Sequence, residues 1–281
     1  MRYHGGKWRL APWIISFFPP HRVYVEPFGG AASVLMQKPS SYAEVYNDSW
    51  ATVVNVFRVL RDPAQAVELC RLVRLTPYAR DEFIEAYPDT SDPIENARRT
   101  LLRSFAGFGS ASTNGEYVTG FRASSHRSHT TPAHDWAHYP DEIAAFVVRL
   151  QGVTIENRPA GDVIVQHDSR DTLFYVDPPY PHSTRNMRRG NAAYAHEMGD
   201  DDHRRLAALL HAVRGMVVLS GYPCDLYDRE LLPEWERFER PHMADGARPR
   251  TEVVWLNAAC SAALVRARSQ LSLLDAEPVA P

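Results

Sequence analysis

The chain has 281 residues, 44% hydrophobic and 23% charged, with a formal net charge of −3. That is enough apolar material for a buried core, so a disordered or low-complexity chain is excluded. No apolar run reaches the roughly 18 to 20 residues needed to cross a bilayer, so a membrane protein is not expected. Taken in chain order, residues 22–26 form a short β-rich run, stopped by Pro27 and the pair Gly29-Gly30. Residues 31–37 then read as a helix. Residues 43–46 make a second strand ending at Asn47-Asp48, and 49–61 a helix with Val53, Val54, Phe57 and Leu60 on one face. This order predicts an α/β fold, a Rossmann-like αβα sheet with parallel strands.

Between residues 62 and 150 the alternation stops. Helical pieces are expected at 64–75 and 94–104, followed by a stretch to 139 rich in Gly, Ser, Thr, His and Arg. Strands resume at 153–155, 173–176, 216–220 and 252–256, with a helix over 202–214. The expected organisation is a discontinuous catalytic domain (1–61 and 151–268), a mainly helical inserted domain (62–150) and a C-terminal tail (269–281). Met1 to Lys7 is polar and glycine-containing, which argues against a signal peptide. The three cysteines, Cys70, Cys224 and Cys260, form no CxxC pair. Neither a disulfide framework nor a cysteine zinc site is expected, and the expected location is the cytoplasm.

Two motifs carry chemistry. The first is Glu26-Pro27-Phe28-Gly29-Gly30-Ala31-Ala32-Ser33. Glycines after a strand let a ligand approach the backbone closely. About 20 residues on, Asp48 closes the next strand, where nucleoside-binding sheets place an acid on ribose hydroxyls. The loop is not GxGxxG and has no Walker lysine, so a dinucleotide or a triphosphate is disfavoured. The second motif is Asp177-Pro178-Pro179-Tyr180 after an apolar strand. A planar ring amine is a poor nucleophile because its lone pair is delocalised. The Asp177 carboxylate and the Pro178 carbonyl can accept its two N–H protons and draw the nitrogen toward sp³ geometry. Prolines 178 and 179 fix that carbonyl's direction, and Tyr180 can stack on the base. A base reaches such a pocket only after leaving the duplex.

With these motifs in place, the chain resembles the Dam-type DNA adenine-N6 methyltransferases (D12 class, α group). Tyr3-His4-Gly5-Gly6-Lys7 is similar to the family's N-terminal motif, residues 25–30 to its cofactor loop, Asn47-Asp48 to its ribose-binding segment and residues 177–180 to its catalytic motif. Softer matches are the runs from Phe57 to Asp62 and from Pro181 to Arg185, Ser220-Gly221-Tyr222, and the run from Arg250 to Asn257. The resemblance implies transfer of methyl from S-adenosylmethionine to adenine N6 in duplex DNA, leaving S-adenosylhomocysteine and using no metal. It implies cofactor contacts from Tyr3, Lys7, Glu26, Phe28, Gly29, Gly30, Asp48 and Asp177. It also implies a catalytic group of Asp177, Pro178, Pro179 and Tyr180. Ala32 stands where many relatives have a third glycine, and the segment of GATC-reading members is absent, so a GATC site is not implied. Enzymes acting on cytosine N4 or protein glutamine share the tetrapeptide logic, and an inactive DNA-binding relative is a further alternative.

Of 31 basic residues only Lys7 and Lys38 are lysine. Arginine suits phosphate and guanine contacts, although a GC-rich coding sequence also produces this bias. Arg98, Arg99, Arg103, Arg122 and Arg127 outnumber the acids between 98 and 138, and Arg185, Arg188 and Arg189 form a second basic stretch. Arg103, Asn114, Arg122, Arg185 and Arg188 are the candidate DNA contacts. Neither the histidines nearby nor Glu197, Asp200, Asp201, Asp202 and His203 are expected to hold zinc. The acids are expected to cap the following helix. Gln270-Leu271-Ser272-Leu273-Leu274 resembles the short peptide that binds the bacterial sliding clamp. The enzyme is expected as monomer or homodimer, of bacterial or phage origin.

Overall fold

The computed structural model describes residues 7–107, 118–123, 130–184, 197–244 and 248–274. Seven strands form one sheet in the order β3-β2-β1-β4-β5-β7-β6. They are β1 (Val23–Glu26), β2 (Ala43–Asn47), β3 (Val153–Glu156), β4 (Thr172–Val176), β5 (Met216–Gly221), β6 (Glu236–Ala244) and β7 (Arg248–Leu256). The first five run parallel and β7 is antiparallel to both β5 and β6. From β1 the chain moves outward to β2 and β3, then returns to place β4 on β1's other side. The crevice at the carboxyl ends of β1 and β4 is therefore the topological switch point, where open α/β sheets bind ligands.

Alternation along each strand builds a core on both faces. Tyr24, Tyr46, Leu173, Tyr175, Val218 and Val254 face one side, joined by Ala11 and Ile14 of α1 (Ala11–Ile15), the apolar stripe of α2 (Ala51–Arg61) and the helices that follow. Val25, Val45, Phe174, Val176, Val217 and Leu219 face the other. There they meet Val163 and Ile164 of the helix Ala160–His167 and Leu206 and Leu210 of the helix Asp200–Ala212. The three-layer arrangement expected from the strand–helix alternation is thus the one found.

The segment 62–150 folds as helices α3 (Pro63–Leu75), α4 (Arg80–Glu85), α5 (Pro93–Ala106) and α6 (Pro132–Leu150). Asp62 and Asp92 cap α3 and α5, each accepting two backbone N–H groups, and a proline follows each cap. Helix α6 was not expected. Its apolar residues Trp136, Tyr139, Ile143 and Leu150 keep helical spacing, but internal Pro140 and the polar first turn read as loop. Leu69, Phe83, Leu101, Trp136 and Ile143 belong to the same buried cluster as the sheet residues Tyr24 and Tyr175. Arg149 of α6 also reaches Glu44 on β2, beside buried Lys38.

Two expected elements change. Residues 31–37 are not a helix but a series of turns, with Ala32 N–H on the Gly29 carbonyl (2.7 Å) and Met36 N–H on Ala32 (3.0 Å). Gly30 and Ala32 have φ of 48° and 52°, which a right-handed helix cannot include. Ala32 therefore keeps the backbone conformation a glycine would take, at a cost of about 1 to 2 kcal/mol. At the other end, the last helix spans Ala258–Leu274. The residues expected as an extended tail from 269 therefore begin as its final turns.

Candidate active site

The loop after β1 is shaped by its neighbours on β2. A Cβ at Gly29 would lie 2.1 Å from Cε2 of Tyr46, so only glycine fits there. Tyr46 donates its hydroxyl to the Gly30 carbonyl (2.7 Å), and Asn47 donates its amide to the Pro27 carbonyl (2.8 Å). Asp48 accepts the Gly30 N–H on one carboxylate oxygen and the Trp50 N–H on the other, both at 2.8 Å. The acid predicted for the ribose is thus also the clasp of the glycine loop. Glu26 is buried, accepting the Tyr24 hydroxyl (2.8 Å) and the Leu35 N–H (3.1 Å). Phe28, half-buried, packs on the second core face.

The loop after β4 supplies the other wall. Lys7 is buried, and its ammonium lies 3.0 Å from each carboxylate oxygen of Asp177 and 3.4 Å from Glu252 Oε1. It also donates to the Tyr180 hydroxyl and sits over that ring. Tyr180 donates to Glu252 (2.9 Å), and Ser220 donates to Asp177 (3.0 Å). Ser220 in turn pairs with the Tyr175 hydroxyl (2.9 Å). Residues from the N-terminal segment, β4, β5 and β7 therefore meet in one buried polar cluster. Lys7 joins the catalytic tetrapeptide directly. Glu252 and Ser220, inside softly matching motifs, had been given no role. A charged residue in the apolar run Val253-Val254-Trp255 and a serine closing a buried strand were the available signals.

Burial pushes the Asp177 carboxyl above its ordinary range, against the pull of the Lys7 ammonium. Burial likewise raises Glu252 to about 7, with Lys7 opposing and Asp177 adding to the rise. Glu26 is raised to about 8 by burial, opposed by the Tyr24 hydroxyl and reinforced by Asp177. Lys7 thus faces two acids, Asp177 and Glu252, in a low-dielectric crevice. A cationic sulfonium and α-amino group placed among them would relieve that excess, so the residues present fit S-adenosylmethionine. A carboxyl whose pKa is raised on folding stabilises the fold below its unfolded value, and loses that contribution as pH rises through the folded one. Glu252→Gln, which stays neutral, should therefore gain stability relative to wild type between pH 5 and 8, by about 2 to 3 kcal/mol. Urea unfolding of the cofactor-free protein at several pH values measures this; a difference that does not change with pH would leave Glu252 with an ordinary pKa.

The expected DNA contacts fare differently. Arg103 is buried, donating to the Ala86 carbonyl (2.7 Å) and lying over the Tyr87 ring. Arg122, also buried, donates to the Phe105 carbonyl (2.8 Å). Both guanidinium groups tie parts of the insertion together. Arg98 pairs with Glu82 and Glu95, and Arg99 with Glu95. These acids lie outside the stretch whose charge looked basic, so the charges of Arg98 and Arg99 are matched in space. Tyr3, Asn114, Arg127, Arg185, Arg188 and Arg189 lie outside the described residues. Of the acids in the first turn of the helix Asp200–Ala212, Asp202 acts as a cap by accepting the Gly199 N–H (2.9 Å), while Asp201 pairs with Arg204. His203 is buried against the Tyr227 hydroxyl (2.9 Å).

A mostly parallel sheet with a glycine loop and an Asp-Pro-Pro-Tyr wall at its switch point defines a nucleoside-cofactor methyltransferase. A model of the D12 class N6 adenine-specific DNA methyltransferase family matches residues 3–238, and the chain belongs to that family. It is an S-adenosylmethionine-dependent enzyme that methylates adenine N6 in DNA. Adenine thereby takes precedence over cytosine or glutamine as the target. No curated protein matches the chain. Among the described residues no helix is long and apolar enough to cross a membrane.

Proposed function

We propose that Asp177, Pro178 and Tyr180 hold an adenine extruded from duplex DNA, with Asp48 on the cofactor's ribose. Glu26, Phe28, Gly29 and Gly30 form the cofactor wall, with Tyr3 contributing from the N-terminal motif. The observation that carries this reading is the Lys7–Asp177–Tyr180–Glu252 cluster, beside the glycine loop at the switch point. S-adenosylmethionine, when bound, supplies an electrophilic methyl group on a cationic sulfur. Asp177 accepts a hydrogen bond from one N6–H and the Pro178 carbonyl from the other, which localises the nitrogen lone pair. Pro179 stiffens the turn. Lys7 and Ser220 fix the carboxylate, while Glu252 fixes the Tyr180 hydroxyl and hence the ring that stacks on the base. Asp177, its pKa raised, is suited to take the proton that N6 releases. Positioning and the two acceptors supply most of the rate enhancement. Labelled methyl incorporation into duplex DNA followed by nucleoside analysis should yield N6-methyladenine alone.

Residues 62–150 are proposed to read the DNA sequence, through side chains other than Arg103 and Arg122. Grafting this segment into a relative of known site should transfer the methylation site, as read by sequencing methylated positions. A graft that folds and keeps the relative's site would remove the assignment. The enzyme is proposed to act in the cytoplasm, as monomer or homodimer. Docking of Gln270-Leu271-Ser272-Leu273-Leu274 to a sliding clamp rests on sequence alone and requires the end of the last helix to unwind. No capture of purified clamp at tens of micromolar would end that idea.

A further inference from the structure

Strand β7 is antiparallel to β5, so its first residues lie at the carboxyl edge of the parallel strands, above the crevice. Pairing between β5 and β7 ends at Gly221↔Val253, but pairing between β6 and β7 continues from Arg240↔Glu252 to Ala244↔Arg248. The outer half of this hairpin therefore projects roughly 15 Å past the sheet on the catalytic side. Side chains two apart on a strand share a face. Glu252 touches Tyr180 and Lys7, so Arg250, about 7 Å further out, and its partner His242 continue the catalytic face toward solvent.

A line of rings leads along that face. Tyr180 meets Tyr222 edge-on at 4.6 Å, and Tyr222 stacks with His242 at 6.3 Å. The Arg250 guanidinium lies over the Tyr222 ring at 5.4 Å. No carboxylate pairs with Arg250 among the described residues. Arg237, at the hairpin's opposite end, is held by Asp228 (2.9 Å) and Glu239 (3.1 Å). His242 also keeps its Nδ1 buried without a hydrogen-bond partner among the described residues. Ring stacking orients the Arg250 fork while leaving its charge unmatched, which suits it to a phosphodiester oxygen.

We propose that Arg250, flanked by Tyr222 and His242, binds a DNA backbone phosphate next to the extruded adenine, making the outer β6–β7 hairpin a second DNA-contacting wall. This rests on the reading that Tyr180 holds the target base. The test uses the full-length enzyme and a duplex bearing a methylation site mapped by sequencing. Dissociation constants are measured between 50 and 200 mM salt, with calorimetry of cofactor binding as the check on folding. Arg250→Ala should flatten the slope of log affinity against log salt by about 0.9, so that its deficit narrows roughly 3.5-fold across that range. Arg250→Lys and Arg237→Ala should keep the wild-type slope, and all three should keep cofactor affinity. A wild-type slope in Arg250→Ala, or an equal flattening in Arg237→Ala, overturns the proposal. Should Arg250→Ala lose cofactor affinity, Arg250→Gln decides by the same slope. Failure of the Tyr180 reading is separable: a 2-aminopurine at the target position would then show no fluorescence rise with wild-type enzyme, whatever the slopes.

Discussion

Asp177→Ala is expected to lower turnover about 10²- to 10³-fold while leaving duplex DNA binding within about threefold of wild type. The carboxylate lies nearly buried, 3.0 Å from the Lys7 ammonium and 3.0 Å from the Ser220 hydroxyl. It is thus locked in one orientation before any substrate arrives. A preorganised acceptor in a water-poor site acts on charge that develops only in the transition state, and its loss costs roughly 2.7 to 4 kcal/mol. Removing it also takes one partner from Lys7, whose ammonium holds Glu252 and the Tyr180 hydroxyl as well. Asp177→Asn separates the two effects, because the amide keeps one acceptor but loses the charge. Single-turnover methylation with labelled cofactor measures both variants. Turnover of Asp177→Ala within threefold of wild type would sink the assigned role.

The second large effect falls on cofactor affinity. Asp48→Ala should weaken S-adenosylmethionine binding by about 10- to 100-fold, the range of one charge-assisted hydrogen bond of about 1.5 to 3 kcal/mol. Turnover at saturating cofactor should change far less, because contacts to the ribose are alike in ground and transition states. The structure adds a reason beyond the ribose. Both carboxylate oxygens hold backbone N–H groups, of Gly30 and Trp50, and Gly30 carries a positive φ that the clasp helps to maintain. Losing Asp48 therefore loosens the cofactor loop as well. Calorimetry with S-adenosylhomocysteine reads the outcome, and unchanged affinity would remove Asp48 from the cofactor site.

Both residues were legible in the sequence because their chemistry is local. A strand followed by Asp-Pro-Pro-Tyr, and an acid closing the strand after a glycine loop, declare themselves within a few residues. The alternation of short apolar runs with amphipathic stretches likewise determined the parallel sheet, since each face of a strand must be buried in turn. The turns over 31–37 escaped because their cause is a pair of left-handed residues, Gly30 and Ala32, with Asp48 clasping Gly30 and Glu26 holding the Leu35 N–H, which no helical periodicity reveals. Only tertiary structure decided the rest. Lys7 and Glu252 are far apart in the chain, yet folding brings both to the Tyr180 hydroxyl, with Lys7 also on the Asp177 carboxylate. Arg103 and Arg122 of the insertion turned inward for the same reason. Whether a guanidinium faces DNA depends on the acids and carbonyls that folding brings to it, and for Arg98, Arg99, Arg103 and Arg122 those partners come from elsewhere in the insertion.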